Sequence, residues 1–242
     1  MRSRSPRAAV IAVTCCATVL TGTSPSAGAT SVNRGAMAQW ARNWSTCHSW
    51  DYFNLHSMHC VPGVGRNPGS EYGVAYIVER RSDCTDFVSD ALHLGGGMPQ
   101  TSDWYTKRHF YVWRERSHTW SVAGEFIHYW IWARQSETRV WSISPTASVT
   151  PADLGDVIVY NWEHGHGYSH LAVETGFGWA TWKDAYGHSH SFYGDLISQH
   201  SHARRNSPWN LGYLKETDPT RRAAMRRDGW YIIHWDNAYN GY

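Results

Sequence analysis

The stretch ERRSDCTDFVSDALHLGGG, residues 79–97, sets a cysteine at the point where an apolar helical pattern begins. Phe87, Val88, Ala91, Leu92 and Leu94 recur at helical spacing, and the run meets a stop at Gly95, Gly96 and Gly97. Asp83, or Ser82 before it, is a suitable N-cap, and Asp86 stands where the acidic member of a capping box sits. Cys84 then falls in the first turn, where unpaired backbone N–H groups and the helix dipole favour an anion. Such a position lowers a thiol pKa and makes a nucleophilic thiolate, and the N–H groups around Asp83 and Cys84 can stabilise an oxyanion. The competing reading is a small hydrophobe buried on a helix.

A thiolate nucleophile needs an imidazole within reach and a group that orients it. In PADLGDVIVYNWEHGHGYSHLAVETG, residues 151–176, two apolar runs read as strands over 156–161 and 168–175. His170 lies near the start of the second, while His164 and His166 lie in the glycine-rich turn between them. GDLISQHSH, residues 194–202, reads as a further strand over 195–200 ending at His200, the first candidate for the orienting group, with Asp184 and Asn161 behind it. GWYIIHW, residues 229–235, is the clearest late strand, and helices are expected over 33–44 and 119–134.

DCTDFVSDAL, then SHTW ahead of an aromatic helix, then GDVIVYNW, YSHLAVETG and LISQHS in that order, resemble the putative amidase domain family. NRGAMAQWARNW at 33–44 is similar to that family's N-terminal helix, and the resemblance spans about 32 to 235. The family is related to NlpC-type and CHAP-type cysteine peptidases and amidases. It implies an α+β, papain-like fold, with N-terminal helices packed on a mostly antiparallel sheet. It also implies Cys84 as nucleophile, His170 as general base and acid, and His200 as third residue. The chain departs from the family pattern at Asp86, where asparagine is common, at SHARR after the third strand, and in the aromatic segment FGWATWKDAYGHSHSFYG, residues 177–194.

The N-terminus, MRSRSPRAAVIAVTCCATVLTGTSPSAGAT, has three arginines, an apolar run and a small-residue pattern at Ala27, Gly28 and Ala29. It reads as a secretory signal cleaved after Ala29, leaving one domain over 30–242. A lipid anchor at Cys15 fits less well, since AVTC lacks the expected large aliphatic residue. Without Arg2, Arg4 and Arg7, the 22 basic residues fall to 19 against 20 acidic ones. The basic balance therefore belongs to the export signal, and nothing points to nucleic acid. The runs at 203–205 and 221–227 read as solvated helix faces, with an anionic wall polymer as the weaker option. No stretch is long and apolar enough for a membrane span.

Cys47, Cys60 and Cys84 remain after processing, and an odd count leaves one thiol unpaired or bridged to another molecule. Cys47 and Cys60 flank a short polar and aromatic loop and are expected to pair, leaving Cys84 free; three cysteines allow two other pairings. A zinc hydrolase is the rival chemistry: His164 with His166, His188 with His190, and His200 with His202 form HxH pairs. No HExxH or HxxxD accompanies them, so no metal or cofactor is expected.

Fifteen tryptophans, dense in residues 101–132, read first as core and second as a surface for stacking sugar rings. The functional expectation is a secreted, monomeric cysteine hydrolase of amide bonds, in peptidoglycan or another amide substrate. A wall- or carbohydrate-binding protein without catalysis is the alternative.

Overall fold

The computed structural model describes residues 31–45, 84–101, 104, 108–110, 113–115, 117–162, 167–201 and 204–236. The expected Cys47–Cys60 disulfide, the Asp83 cap, and His164, His166 and His202 lie outside the described residues.

Helix α1 (Arg34–Trp44) begins where the sequence places it, because the Asn33 side chain accepts a hydrogen bond from the Ala36 N–H and satisfies one orphan donor of the first turn. Helix α2 (Cys84–Asp90) continues as a π-helical turn over Ala91–Gly95. The glycines after it do more than stop the helix. A Cβ on Gly95 would lie 2.7 Å from the Trp40 Cβ, so this glycine lets α1 and the end of the α2 run approach closely. Gly97, at φ +76°, supplies the left-handed exit.

A two-stranded ribbon follows, β1 (Arg108–Phe110) with β2 (Trp113–Glu115). The single helix expected over 119–134 is instead two short ones, α3 (His118–Ser121) and α4 (Ala123–His128), with a π-helical turn over Tyr129–Ala133. Val122 breaks the run by adopting an extended conformation, φ −116° and ψ 122°. That kink buries both Trp120 and Trp130, which one straight helix would have to place with the 3.6-residue period.

The remaining strands are β3 (Thr138–Ile143), β4 (Val157–Tyr160), β5 (His170–Lys183), β6 (Ser189–Gln199), β7 (Arg204–Pro208) and β8 (Trp230–Trp235). They form one six-stranded antiparallel sheet in the order β3-β8-β4-β5-β6-β7. Between β7 and β8 lie α5 (Leu211–Lys215) and α6 (Pro219–Arg227), the latter capped by Asp218 with proline at its first position. The fold is therefore α+β, as the sequence suggests. No described helix is long and apolar enough to cross a membrane.

Both faces of the sheet are covered. Val157, Val159, Leu171, Val173 and Ile233 face α1, α2 and α4 and pack with Trp40, Phe87, Val88 and Phe126. Ile158, Tyr160, Ala172, Ile197 and Ile232 face the other way and pack with Trp209, Tyr213 of α5 and Met225 of α6. Strand alternation assigns each residue to one of these layers, and the assignment decides what each candidate site residue can reach.

Candidate active site around Cys84

Cys84 is the first residue of α2, fully buried and in no disulfide, with its Sγ 3.8 Å from the Thr85 hydroxyl. Helical spacing puts Phe87, Val88 and Ala91 on the same side as Cys84. That side meets α1 and the sheet strands β5 and β6.

His200 is brought to this side. It sits just after β6, buried, with its ring stacked on Phe87 at 4.4 Å between centroids and 25° between planes. Its Nε2–H donates to the Trp44 carbonyl at 2.9 Å. Trp44 is the last residue of α1, so this carbonyl is one that the helix leaves without an internal partner. A carbonyl can only accept, which fixes a proton on Nε2.

His170 is placed differently. It opens β5 opposite Tyr160 of β4, and its ring lies 5.4 Å from Tyr160 and 6.3 Å from Trp162. Directly paired residues share a face, and Tyr160 belongs to the α5 and α6 layer. The His170 side chain thus leaves the sheet on the side opposite α2, although α2 packs on the strand that carries it. Its Nε2 is buried without a hydrogen-bond partner among the described residues.

The other orienting candidates fall elsewhere. Asn161 follows β4 with a buried Oδ1 that has no hydrogen-bond partner among the described residues. Asp184 is in the turn beyond the far end of the fourteen-residue β5. At about 3.3 Å per residue that is roughly 45 Å from His170, which removes it from any shared site. There it accepts hydrogen bonds from the Tyr186 and His188 N–H groups and from the rings of His188 and His190, and the His190 contact chiefly holds its pKa below the usual range. His188 and His190 are thus tied to a carboxylate at a hairpin tip.

Two further groups of polar side chains escape sequence reading. Arg34 donates to Asp153 at 3.0 Å and to the Trp235 carbonyl at 3.0 Å, and contacts His234, whose Nδ1 lies 3.1 Å from the Asp156 carboxylate. Asp153, Asp156 and His234 could hold a cation by proximity, but the Arg34 guanidinium already supplies the positive charge there. Burial raises the Asp156 pKa, with His234 and Arg34 opposing it. On the α5 and α6 layer, Glu174 is buried, its Oε2 without a hydrogen-bond partner among the described residues; burial first, and repulsion from Asp195 second, push its pKa well up.

Six of the fifteen tryptophans, Trp104, Trp120, Trp130, Trp209, Trp230 and Trp235, are fully buried core residues. Phe87 and the Trp44 carbonyl are what sequence reading missed at the site. The only available signal was Phe87 one helical turn from Cys84.

The family described as a putative amidase domain matches residues 31–223, which contain Cys84, His170 and His200 and every strand of the sheet except β8. The chain belongs to this amidase family. No curated protein and no solved structure matches it. Amidase membership points to a hydrolase acting on C–N bonds, with an amide as its substrate. A cysteine buried at the head of a helix, with a tautomer-fixed histidine one turn along, is a set of groups that amide hydrolysis can use.

Proposed function

We propose that this amidase-family chain is a secreted cysteine hydrolase of papain-like type that cleaves amide bonds in peptidoglycan. The observation that carries the reading is Cys84 at the first position of α2, buried against the sheet, with the His200 ring on the same helix face through Phe87. What supports export is the N-terminal segment, with its arginines, apolar run and small-residue pattern, and the amides an exported amidase would meet first are those of the wall.

The Cys84 thiolate attacks the carbonyl carbon, forming a C–S bond and an oxyanion held by N–H groups of the first helical turn, the Cys84 N–H among them. The C–N bond then breaks, the imidazolium gives its proton to the departing amine, and the acyl group stays on sulfur. Water attacks the thioester while the imidazole takes its proton. The products are a carboxylic acid and the regenerated thiolate.

His170 is the base if the family pattern transfers position by position, with His200 as the orienting group. That assignment requires the His170 ring to reach the α2 side of the sheet. A second assignment has its own observation: His200 already lies on that side, with its ring held by Phe87 and by the Trp44 carbonyl. Here the Trp44 carbonyl plays the orienting part.

The test is release of new free amines from purified peptidoglycan by the mature chain, with Cys84→Ala, His170→Ala and His200→Ala alongside. Cys84→Ala should release none, and the liberated ends name the bond. Loss of at least 10²-fold in only one histidine variant identifies the base, given typical general-base contributions. Equal release by wild type and Cys84→Ala overturns the thiol mechanism. Inhibition by chelation but not by alkylation revives zinc chemistry.

A further inference from the structure

The segment that departs from the family pattern, residues 177–194, is the outer part of the β5–β6 hairpin, paired without a break from Gly176 opposite Leu196 to Lys183 opposite Ser189. Its two faces differ sharply. On one, Phe192 is buried and Trp182 packs against the α5 and α6 layer, which fastens the hairpin to the body of the protein. On the other, Phe177, Trp179 and Tyr193 are 54%, 73% and 49% exposed. Tyr193 pairs directly with Trp179, and its ring lies 4.9 Å from Trp179 and 5.0 Å from Phe177.

The same face continues toward the tip with hydroxyls, Thr181 opposite Ser191, and ends in Lys183. Lys183 is about 13 Å from Trp179 at strand spacing. The adjoining carboxylate, Asp184, is engaged with His188 and His190 and with two backbone N–H groups of the turn, which locks the tip. A rigid strip of three touching rings, then hydroxyls, then a cation remains turned to solvent. Exposed apolar surface of this kind, rimmed by polar groups, marks an interaction site.

We propose that this hairpin face binds a glycan strand bearing carboxylates. The aromatic rings stack against the C–H faces of successive sugars, Thr181 and Ser191 hydrogen-bond their hydroxyls, and Lys183 meets a carboxylate further along. Charge complementarity separates this occupant from a neutral glycan or a second copy of the chain. The site does not involve Cys84, so it stands or falls separately from the catalytic reading.

The experiment titrates the mature Cys84→Ala protein by calorimetry and tryptophan fluorescence. The probes are oligosaccharides of alternating N-acetylglucosamine and glucuronate, uncharged N-acetylglucosamine oligomers of equal length, and polyglutamate. The acidic oligosaccharide should bind, with affinity lowered at least tenfold by Trp179→Ala and reduced to that of the uncharged oligomer by Lys183→Gln. Both positions are exposed, so the variants should melt with the parent. The proposal is overturned if no glycan binds, if Trp179→Ala binds as well as the parent, or if polyglutamate matches the glycan. It is equally overturned if sedimentation shows a dimer that Trp179→Ala dissolves.

Discussion

Replacing Phe87 tests the packing of the site and its chemistry in one residue. Phe87 is 2% exposed, touches Trp40 of α1 at 5.6 Å between ring centroids, and carries the His200 ring on its face. Phe87→Ala leaves a cavity between two helices that a Trp40 already fixed against Gly95 cannot fill, so the cost belongs in the range of about 3–5 kcal/mol for buried phenylalanine. That is a large share of a total stability of roughly 5–15 kcal/mol, but leaves a folded protein. At about 2–4 °C per kcal/mol for a chain of this size, the melting temperature should fall by roughly 6–20 °C. Phe87→Leu keeps most of the apolar volume and should cost under about 1.5 kcal/mol, while removing the flat surface that holds His200. Urea unfolding gives the energies, and amine release at a temperature where all forms are folded gives the chemistry. Phe87→Leu should lose activity out of proportion to its stability. A cost below 1 kcal/mol for Phe87→Ala would refute the packing, and full activity in Phe87→Leu would refute the positioning of His200.

Four other outcomes are expected. Because burial raises the Glu174 pKa, its neutral form is favoured in the fold and unfolding allows it to ionise. Its contribution is fully present below the ordinary glutamate pKa and is lost as pH rises through the folded value, at no more than about 1.4 kcal/mol per pH unit. Glu174→Gln should therefore gain on the wild type as pH rises from 4 to 8 in urea unfolding, and parallel profiles would contradict this. Gly194→Ala should destabilise by several kcal/mol, at the scale of core overpacking or worse, since its Cβ would lie 2.0 Å from the Ser148 carbonyl oxygen. Gly124→Ala, in α4 with open space around it, should instead gain about 0.5–1 kcal/mol in the same thermal melts. Arg34→Met should cost about 3–5 kcal/mol because it leaves buried Asp156 short of a counter-charge, and adding Asp156→Asn should recover part of the loss.

Local signals were enough for α1 and α2. Asn33 caps the first, so its start follows from a few neighbouring residues, and apolar periodicity runs through both. The strands at β4 and β8 were equally legible, because each is an apolar run long enough to be buried on both faces. The β5–β6 hairpin was legible only at its inner end. Its outer half alternates exposed rings with small residues, and without a partner strand in view that pattern resembles an inserted loop. The kink at Val122 and the short β3 and β7 depend on which side chains find room in a core that the sequence does not display.

The candidate site divides in the same way. The sequence by itself determined that a cysteine lies on a helix and that histidines stand at the start of one later strand and the end of another, because helix and strand runs are set by residues adjacent in the chain. Only the tertiary structure decided which histidine shares a layer with that cysteine. Strand pairing turns His170 toward Tyr160 and the α5 and α6 side, while the close of β6 and the free carbonyl of Trp44 hold His200 against Phe87. A side chain's face depends on register between distant strands, and register is fixed by burying both sides of the sheet at once.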